Sequence, residues 1–201
     1  MGKILITIGR QYGSGGHEIG ERMAKILGIP FYDRELIELA SKKSGIDRGL
    51  LAIHDERPIP AALLKTKGGA GTLDGKPIGE LLFQAQSGII IDAAGKGSCV
   101  VIGRCANYVL REEPELFSIY VTAPLEQRIQ RIMERNRMSR EDAAAAVEKV
   151  DRQRSDYYNH HTGRNWGEGC EYELMIDSSV LGVAETAQRL AQMAQERMGR
   201  N

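Results

Sequence analysis

The sequence predicts an α/β fold in which a parallel sheet of five strands carries helices on both faces. Two observations carry this prediction. Five short apolar runs alternate with helical patterns, and a glycine-rich turn links the first run to the first helix. The runs lie at residues 4–8, 29–32, 99–102, 117–121 and 172–176. Strands that alternate with amphipathic helices favour a parallel sheet, and 201 residues fit a single domain, 1–201.

The first strand, the turn and the first helix form the most informative stretch. Residues 4–8 are apolar and rich in β-branched side chains, as in a buried strand. The turn GRQYGSGG follows at residues 9–16, and a helical pattern then runs to Gly28. This arrangement aims free backbone N–H groups at an anion, so we interpret the turn as a phosphate cradle. The alternative is a tight turn without a ligand.

The turn departs from the known phosphate-binding patterns. The Walker pattern requires Gly, four residues and then Gly-Lys-Ser/Thr. With Gly15 as the second glycine, Arg10 takes the place of the first glycine and Gly16 that of the lysine. Gly13 and Gly15 begin a dinucleotide pattern, but Glu18 stands where its third glycine belongs. The strand–turn–helix context therefore carries the prediction.

The middle of the chain alternates regular and irregular stretches. Asp33 is predicted to cap a helix that ends before Gly45. Residues 54–77 contain many prolines and glycines, which predicts a long loop, either a lid, a binding loop or a disordered segment. A helical pattern returns at residues 78–93 and is closed by Gly95 and Gly97. Its apolar residues suit a homodimer interface as well as a core.

Capping signals divide the second half of the chain into helices. Thr122 is predicted to cap a helix with Pro124 in its first turn. Ser139 and Asp142 resemble a capping box before a long helix that reaches Val150. An amphipathic helix at residues 183–194 follows the last strand.

Arginines are concentrated between residues 128 and 164, where most read as a solvated, salt-bridged surface. Arg152 and Arg154 follow the helix and precede a polar loop at 159–166, so a mobile arm could carry them over a phosphate. The alternative is a purely structural arm. Arg104 ends a buried strand, where a charge is costly unless it faces a ligand or a carboxylate. Arg34 stands in the same position one strand over.

Composition excludes several classes of protein. Lys+Arg and Asp+Glu both number 27, which argues against a dedicated nucleic-acid or membrane-surface protein. The three cysteines form no C-x-x-C pair, so neither a disulfide scaffold nor a zinc site is indicated. His160 and His161 have no nearby carboxylate at ligand spacing, and we predict no metal site there. We expect a cytoplasmic protein without a signal peptide or membrane span.

Several separated blocks resemble the cytidylate-kinase-like family, relatives of bacterial cytidylate kinase among the nucleoside monophosphate kinases. The blocks are ITIGRQYGSGGHEIG, FYDRELI, GSCVVIGRCANYVL, KVDRQRSDYYNHHTGRNW and YELMIDSSVLG. The resemblance covers nearly the whole chain. It implies a three-layer αβα P-loop kinase fold with an acceptor-binding insertion at 33–98 and an arginine-rich lid at 137–168.

The resemblance also implies roles for individual residues. ATP phosphates, accompanied by Mg²⁺, are expected at Gly13, Ser14, Gly15, Gly16 and His17. The acceptor is expected at Asp33, Arg34, Arg104 and Asn107, although Asn107 stands where the family commonly has aspartate. The catalytic arginines are expected to be Arg10, Arg104, Arg152 and Arg154. Either Arg10 or His17 could supply the charge of the missing lysine, and we favour Arg10 because it stays ionised at any working pH.

Three functions remain open at this stage. The first is an ATP-dependent kinase acting on a small nucleotide such as CMP or dCMP. The second is a non-catalytic nucleotide-binding module, suggested by Gly16 at the lysine position. The third is a kinase for a non-nucleotide metabolite, suggested by the long loop at 54–77. None of them requires nucleic acid or a membrane as a partner.

Overall fold

A computed structural model describes residues 2–45, 47–57, 72–73 and 76–200. Within them, a parallel five-stranded sheet has the strand order β2–β5–β1–β6–β7. These strands are β1 (Leu5–Arg10), β2 (Phe31–Tyr32), β5 (Cys99–Ile102), β6 (Leu116–Thr122) and β7 (Leu174–Asp177), while β3 (Thr72–Leu73) and β4 (Lys76–Pro77) form a small antiparallel pair. The predicted five-stranded parallel sheet is confirmed.

Helices cover both faces of the sheet. They are α1 (Gly16–Leu27), α2 (Glu35–Ser44), α3 (Arg48–His54), α4 (Ile78–Lys96), α5 (Ala106–Val109), α6 (Leu125–Asn136), α7 (Arg140–Thr162) and α8 (Ser178–Arg200). Alternate side chains of β1 point to opposite faces, as strand geometry requires. Ile6 packs toward α1 and α8, whereas Leu5 packs toward α2 and α4. The sheet is therefore the middle of three layers.

Two residues that were predicted to cap helices do not do so. Asp33 does not cap α2: the cap position is Arg34, and the Asp33 carboxylate instead contacts Arg104. Thr122 does not cap α6 either, because that helix begins at Leu125 and its cap position is Pro124. The Thr122 hydroxyl donates to Gln11 Oε1. In both cases the side chain that was predicted to cap a helix instead contacts a residue distant in sequence.

The long helix α7 extends beyond its predicted end. The Ser139 Oγ accepts a hydrogen bond from the Asp142 N–H at 3.1 Å, so the predicted cap is confirmed. The helix then passes Val150 and continues to Thr162, where Gly163 closes it with φ of 67°. Arg152 and Arg154 consequently lie on a continuous helix and not on a separate arm. No proline or glycine interrupts residues 151–162, and the polar composition of this stretch concealed the helix.

The helices α4 and α8 also differ from their predicted limits. Gly95 lies inside α4, which ends at Lys96 before Gly97. The helix α8 begins at Ser178 and is kinked at Gly182, which has φ of 74°. Most apolar side chains of α4 are buried in the core, although Ile91 is 53% exposed, and a homodimer through this helix stays a prediction. The predicted loop at 54–77 lies largely outside the described residues.

Across the part of the chain that the structure describes, no helix combines the length and apolarity needed to cross a bilayer.

Candidate functional site

A pocket lies at the carboxyl ends of β1 and β5, where parallel sheets of this kind bind ligands. Its walls are formed by β1, the loop after β5 and the second half of α7, together with single residues after α3, after α7 and before β7. The lining residues are Thr7, Ile8, Gly9, Arg10, Glu56, Gly103, Arg104, Cys105, Asn107, Arg154, Tyr157, Tyr158, Trp166 and Tyr172. The pocket therefore joins the first strand to the long helix through charged and aromatic side chains.

Arg104 is the central buried charge of the site, with 3% of its surface exposed. Its guanidinium contacts the Asp33 carboxylate and binds Asp55 through two hydrogen bonds of 3.1 and 2.7 Å. It also donates to the Ile102 carbonyl at 3.0 Å. These contacts meet the sequence-based expectation that a charge at this strand end faces carboxylates. Burial opposes the charge, but Asp55, Glu56 and Asp33 raise the pKa of Arg104 above its ordinary value.

The Glu56 carboxylate is held by positive charge on several sides. Arg10 binds it through two hydrogen bonds of 2.6 and 2.9 Å, and the backbone N–H of Arg104 donates to it at 3.0 Å. The Nε of Arg154 lies 3.5 Å from its second oxygen. Burial alone would raise the pKa of Glu56, yet Arg10, Arg104 and Arg154 hold that pKa well below its usual range. Glu56 is therefore a bound anion at neutral pH.

Of Arg10, Arg104 and Arg154, the last has the weakest contact with a carboxylate. It donates to the Arg10 carbonyl at 3.1 Å and shares Glu56 with Arg10. Burial and the neighbouring Arg10 charge lower the pKa of Arg154 to about 10. Arg10 and Arg154 thus share the single carboxylate of Glu56, whereas Arg104 is paired with Asp33 and Asp55 as well. A ligand with several anionic oxygens suits the two arginines that share Glu56.

Three buried polar atoms on the pocket wall have no hydrogen-bond partner among the described residues. They are Thr7 Oγ1, Arg10 Nε and the Tyr157 hydroxyl. Buried polar groups in folded proteins are nearly always paired, and each unpaired one costs stability. Their position in one pocket indicates that a polar ligand completes the site.

The glycine turn has the backbone geometry of a close-approach loop. Gly13 and Gly15 have φ of 81° and 82°, in the left-handed region that favours glycine. The buried Ser14 hydroxyl donates to the Gln11 carbonyl at 2.8 Å, and Ser178 donates to the Ser14 carbonyl at 2.5 Å. The loop is therefore fixed from both ends before any ligand binds.

Gly16 and Arg10 are sterically linked. A Cβ placed at Gly16 would lie 2.6 Å from the Arg10 Cβ, closer than real side chains approach. The Arg10 side chain thus occupies the space that a side chain at the Walker lysine position would need.

The arginines of α6 also meet the glycine turn. The Arg128 guanidinium binds Asp151 of α7 at 2.6 Å and the Tyr12 carbonyl at 3.2 Å. Asp151 in turn accepts the Tyr12 N–H at 2.6 Å. The Arg131 guanidinium lies over Gly15, where a Cβ would come within 2.1 Å of its Nη1. Sequence reasoning treated Arg131 as surface, because its spacing matches that of an ordinary solvated helix face.

Three other predicted residues, His17, Asn107 and Arg34, take different positions relative to the pocket. His17 Nε2 lies 3.0 Å from Asp33 Oδ2, so His17 joins the site through Asp33. Asn107 lines the pocket, but its Nδ2 already donates to the Tyr158 hydroxyl at 2.9 Å. Arg34 is exposed at the start of α2 and is not among the pocket-lining residues that the structure describes.

Arg152 lies away from the pocket. Its side chain is 70% exposed and pairs with Glu148 one helical turn earlier at 2.6 Å. Residues two apart on a helix point to different sides, so Arg154 faces the pocket while Arg152 faces solvent. We leave Arg152 out of the site.

Asp55 and Glu56 are the residues that the sequence did not suggest. They follow α3 directly, and 48 residues separate Glu56 from Arg104 in the chain. The only available signal was an acidic pair beside an irregular stretch. Such pairs are common on surfaces, and the buried arginines they meet are distant in sequence.

One protein family and several solved structures are similar to this chain. The model of the cytidylate kinase-like family matches residues 5–180. A crystal structure of an uncharacterized protein from Eubacterium ventriosum ATCC 27560 has a TM-score of 0.72 and 23% identity, covering 96% of this chain and 99% of that one. No curated protein matches the chain.

Two shikimate kinase structures are similar in fold. The enzyme from Acinetobacter baumannii, in complex with shikimate, has a TM-score of 0.51 and 16% identity over 98% of this chain and 94% of that one. The enzyme from Bacteroides thetaiotaomicron has a TM-score of 0.56 and 11% identity over 96% and 98%. At such identities the likeness concerns the fold, and the predicted P-loop kinase fold is confirmed.

Proposed function

The chain belongs to the cytidylate kinase-like family, and from this premise we propose that it transfers the γ-phosphoryl group of ATP to a small nucleotide-like acceptor. CMP or dCMP is the acceptor that the family suggests. The observation that carries the proposal is the convergence of Arg10, Arg154 and the Arg104 N–H on a single carboxylate, that of Glu56. Arginine forks suit phosphate oxygens because they donate two parallel hydrogen bonds.

In this proposal the Glu56 carboxylate occupies the position that the transferred phosphoryl group takes. A phosphoryl group carries more negative charge than a carboxylate, and its three oxygens suit Arg10 and Arg154, which share the one Glu56 carboxylate in the structure. The unpaired Arg10 Nε and Tyr157 hydroxyl supply further donors. Binding of substrate thus requires Glu56 to leave, and in this proposal the described part of residues 33–98 belongs to the acceptor-binding insertion and residues 137–168 form the lid.

The ATP phosphates are proposed to bind the glycine turn, Gly13 to Gly16, at the N-terminus of α1. Free N–H groups and the helix dipole favour an anion there. Arg10 supplies the charge of the Walker lysine, and the Cβ-free Gly16 leaves room for its side chain. Arg131, above Gly15, adds positive charge on the outer side of the turn.

The proposed phosphoryl transfer depends on positively charged side chains held around the γ-phosphoryl group. An acceptor oxygen bonds to the γ-phosphorus, the bond from that phosphorus to the β,γ-bridging oxygen breaks, and ADP leaves with the electron pair. Arg10 and Arg154 stabilise the charge that builds up on the equatorial oxygens. Arg104, His17 and Arg10 hold the pKa of Asp33 well below its usual range despite its burial, so Asp33 is a poor proton acceptor. The site therefore favours an acceptor whose attacking oxygen is already anionic, such as a nucleotide phosphate.

The residues near the turn fit Mg²⁺ through one carboxylate. Mg²⁺ prefers oxygen ligands and is usually held by one or two carboxylates together with substrate phosphates and water. Among the described residues, Asp151 accepts the Tyr12 N–H within the turn but is also paired with Arg128, and Asp33 contacts His17, which follows the turn directly. Both Asp33 oxygens already have partners, Arg104 and His17, so we propose that Asp33 would hold Mg²⁺ by exchanging its contact with His17. The bound ion would neutralise phosphate charge.

The test is ATP consumption by the purified protein with Mg²⁺ and each nucleoside monophosphate in turn. The proposal predicts turnover that depends on one or two acceptors, with CMP or dCMP first. ATP binding without turnover on any nucleotide or metabolite would establish the binding-module alternative, which Gly16 favours. Turnover with a hydroxyl-bearing metabolite alone would establish the metabolite-kinase alternative, which the shikimate kinase fold favours.

A further inference from the structure

A cluster of metal-ligating side chains lies outside the pocket, between α4 and α7. Glu80 is in the first turn of α4, and His160 and His161 are in the last turn of α7. The Glu80 Oε1 lies 2.8 Å from His160 Nε2 and 3.8 Å from His161 Nδ1. One ligand atom from each of the three residues lies within 4.8 Å of the others. The sequence analysis predicts no metal site at His160 and His161 for want of a nearby carboxylate, but the fold brings Glu80 to them from 80 residues away in the chain.

We propose that Glu80, His160 and His161 form a binding site for a zinc-class transition metal ion. Two imidazoles and one carboxylate are a donor set that binds Zn²⁺ with a fourth position left to water. Ligands around a tetrahedral zinc ion lie roughly 3.4 Å apart, given bond lengths of about 2.0–2.2 Å. Two of the three separations, 2.8 and 3.8 Å, bracket this value, and the third lies within 4.8 Å. Mg²⁺ and Ca²⁺ are excluded because they prefer oxygen ligands.

Packing holds the His161 side chain in place, whereas Glu80 and His160 are accessible to solvent. The His161 side chain is 2% exposed and stacks on Phe83 at 4.1 Å, with Tyr157 at 4.5 Å on another side. The Glu80 and His160 side chains are 31% and 36% exposed, which gives the ion a path from solvent.

A metal ion bound in this cluster would connect two helices. It links the first turn of α4 to the end of the helix that carries Arg154. A bound ion would tie these two helices together and slow any movement of α7 relative to α4. The expectation that zinc also slows turnover rests on the proposed function, whereas zinc binding itself does not.

The experiment is isothermal titration of ZnCl₂ into the metal-stripped full chain, with CoCl₂ absorption spectra to report coordination. We expect one zinc ion per chain and a tetrahedral cobalt spectrum. Glu80→Gln and His160→Gln are each expected to weaken binding by at least about 100-fold, since loss of even an outer partner of a metal ligand costs 10–100-fold. His17→Gln and Glu148→Gln, which alter a histidine and a carboxylate elsewhere, are expected to bind zinc like the wild type.

Absence of zinc binding in the wild type would overturn the proposal. Unchanged binding in both Glu80→Gln and His160→Gln would do the same, as would equal weakening in His17→Gln. Thermal unfolding separates these outcomes from misfolding, because zinc should raise the Tm of the wild type and leave that of Glu80→Gln unchanged. None of these readouts depends on kinase activity, so failure here and failure of the proposed function are distinguishable.

Discussion

Arg154→Ala is expected to lower turnover by more than about 100-fold while changing the stability of the fold little. Positioned arginines contribute factors of about 10³–10⁵ to phosphoryl transfer, because they stabilise charge on the moving group. The cost to the fold is small because Arg10 still binds Glu56 through two hydrogen bonds in the variant. Burial also disfavours the charge of Arg154, whose pKa is lowered to about 10. The measurement is kcat with the acceptor that supports turnover, together with the Tm.

Arg152→Ala is the matched control for this experiment. It removes the same side chain two residues earlier on α7, from a position that is 70% exposed and paired with Glu148. We expect kcat within about twofold of the wild type, since exposed pairs contribute little. Comparable losses in the two variants would refute the assignment of Arg154, as would near-normal turnover in Arg154→Ala.

Arg104→Ala is expected to destabilise the protein by about 3–5 kcal/mol, because removal of one partner of a buried ion pair leaves an uncompensated charge. Here Asp33 and Asp55 would both lose their arginine, in a region where Arg104 is 3% exposed. For a chain of this size the expected fall in Tm is roughly 10 °C. The measurement is the free energy of unfolding from a denaturant titration.

Arg22→Ala provides the comparison for Arg104. Arg22 pairs with Glu18 on the exposed side of α1, where its side chain is 48% exposed, and its loss should cost less than about 1 kcal/mol. A loss of stability in Arg104→Ala no larger than in Arg22→Ala would contradict the structural role of Arg104. Because the variant is expected to be unstable, its turnover is a poor guide to whether Arg104 also contacts the acceptor.

The elements and their order were predictable from the sequence because they depend on local patterns. The apolar run before GRQYGSGG gave β1, and the alternation that follows gave the parallel sheet. Helix limits were less predictable where a tertiary contact overrides the local preference. Asp33 is drawn to Arg104 and away from its predicted cap, and a polar sequence concealed the last three turns of α7.

The site was predictable in part, for a related reason. Arg104 stood out because a charge at the end of a buried strand needs a partner. Arg154 stood out with Arg152 because the pair follows a helix and precedes a polar loop. Glu56 and Glu80 did not stand out, since each meets its partners across a long stretch of chain. Arg152 resembles Arg154 in sequence, and only the direction of the helix face separates them.

The most direct test of the central claim is the Tm of Glu56→Gln during a titration with ATP and Mg²⁺, in buffer free of phosphate and sulfate. The account holds that Glu56 occupies the position of the transferred phosphoryl group. Without ligand, the variant should melt below the wild type, because Arg10 and Arg154 lose their anionic partner. With ATP, its Tm should rise further than that of the wild type, since no carboxylate has to be displaced. A variant that ATP stabilises no more than the wild type would contradict the account.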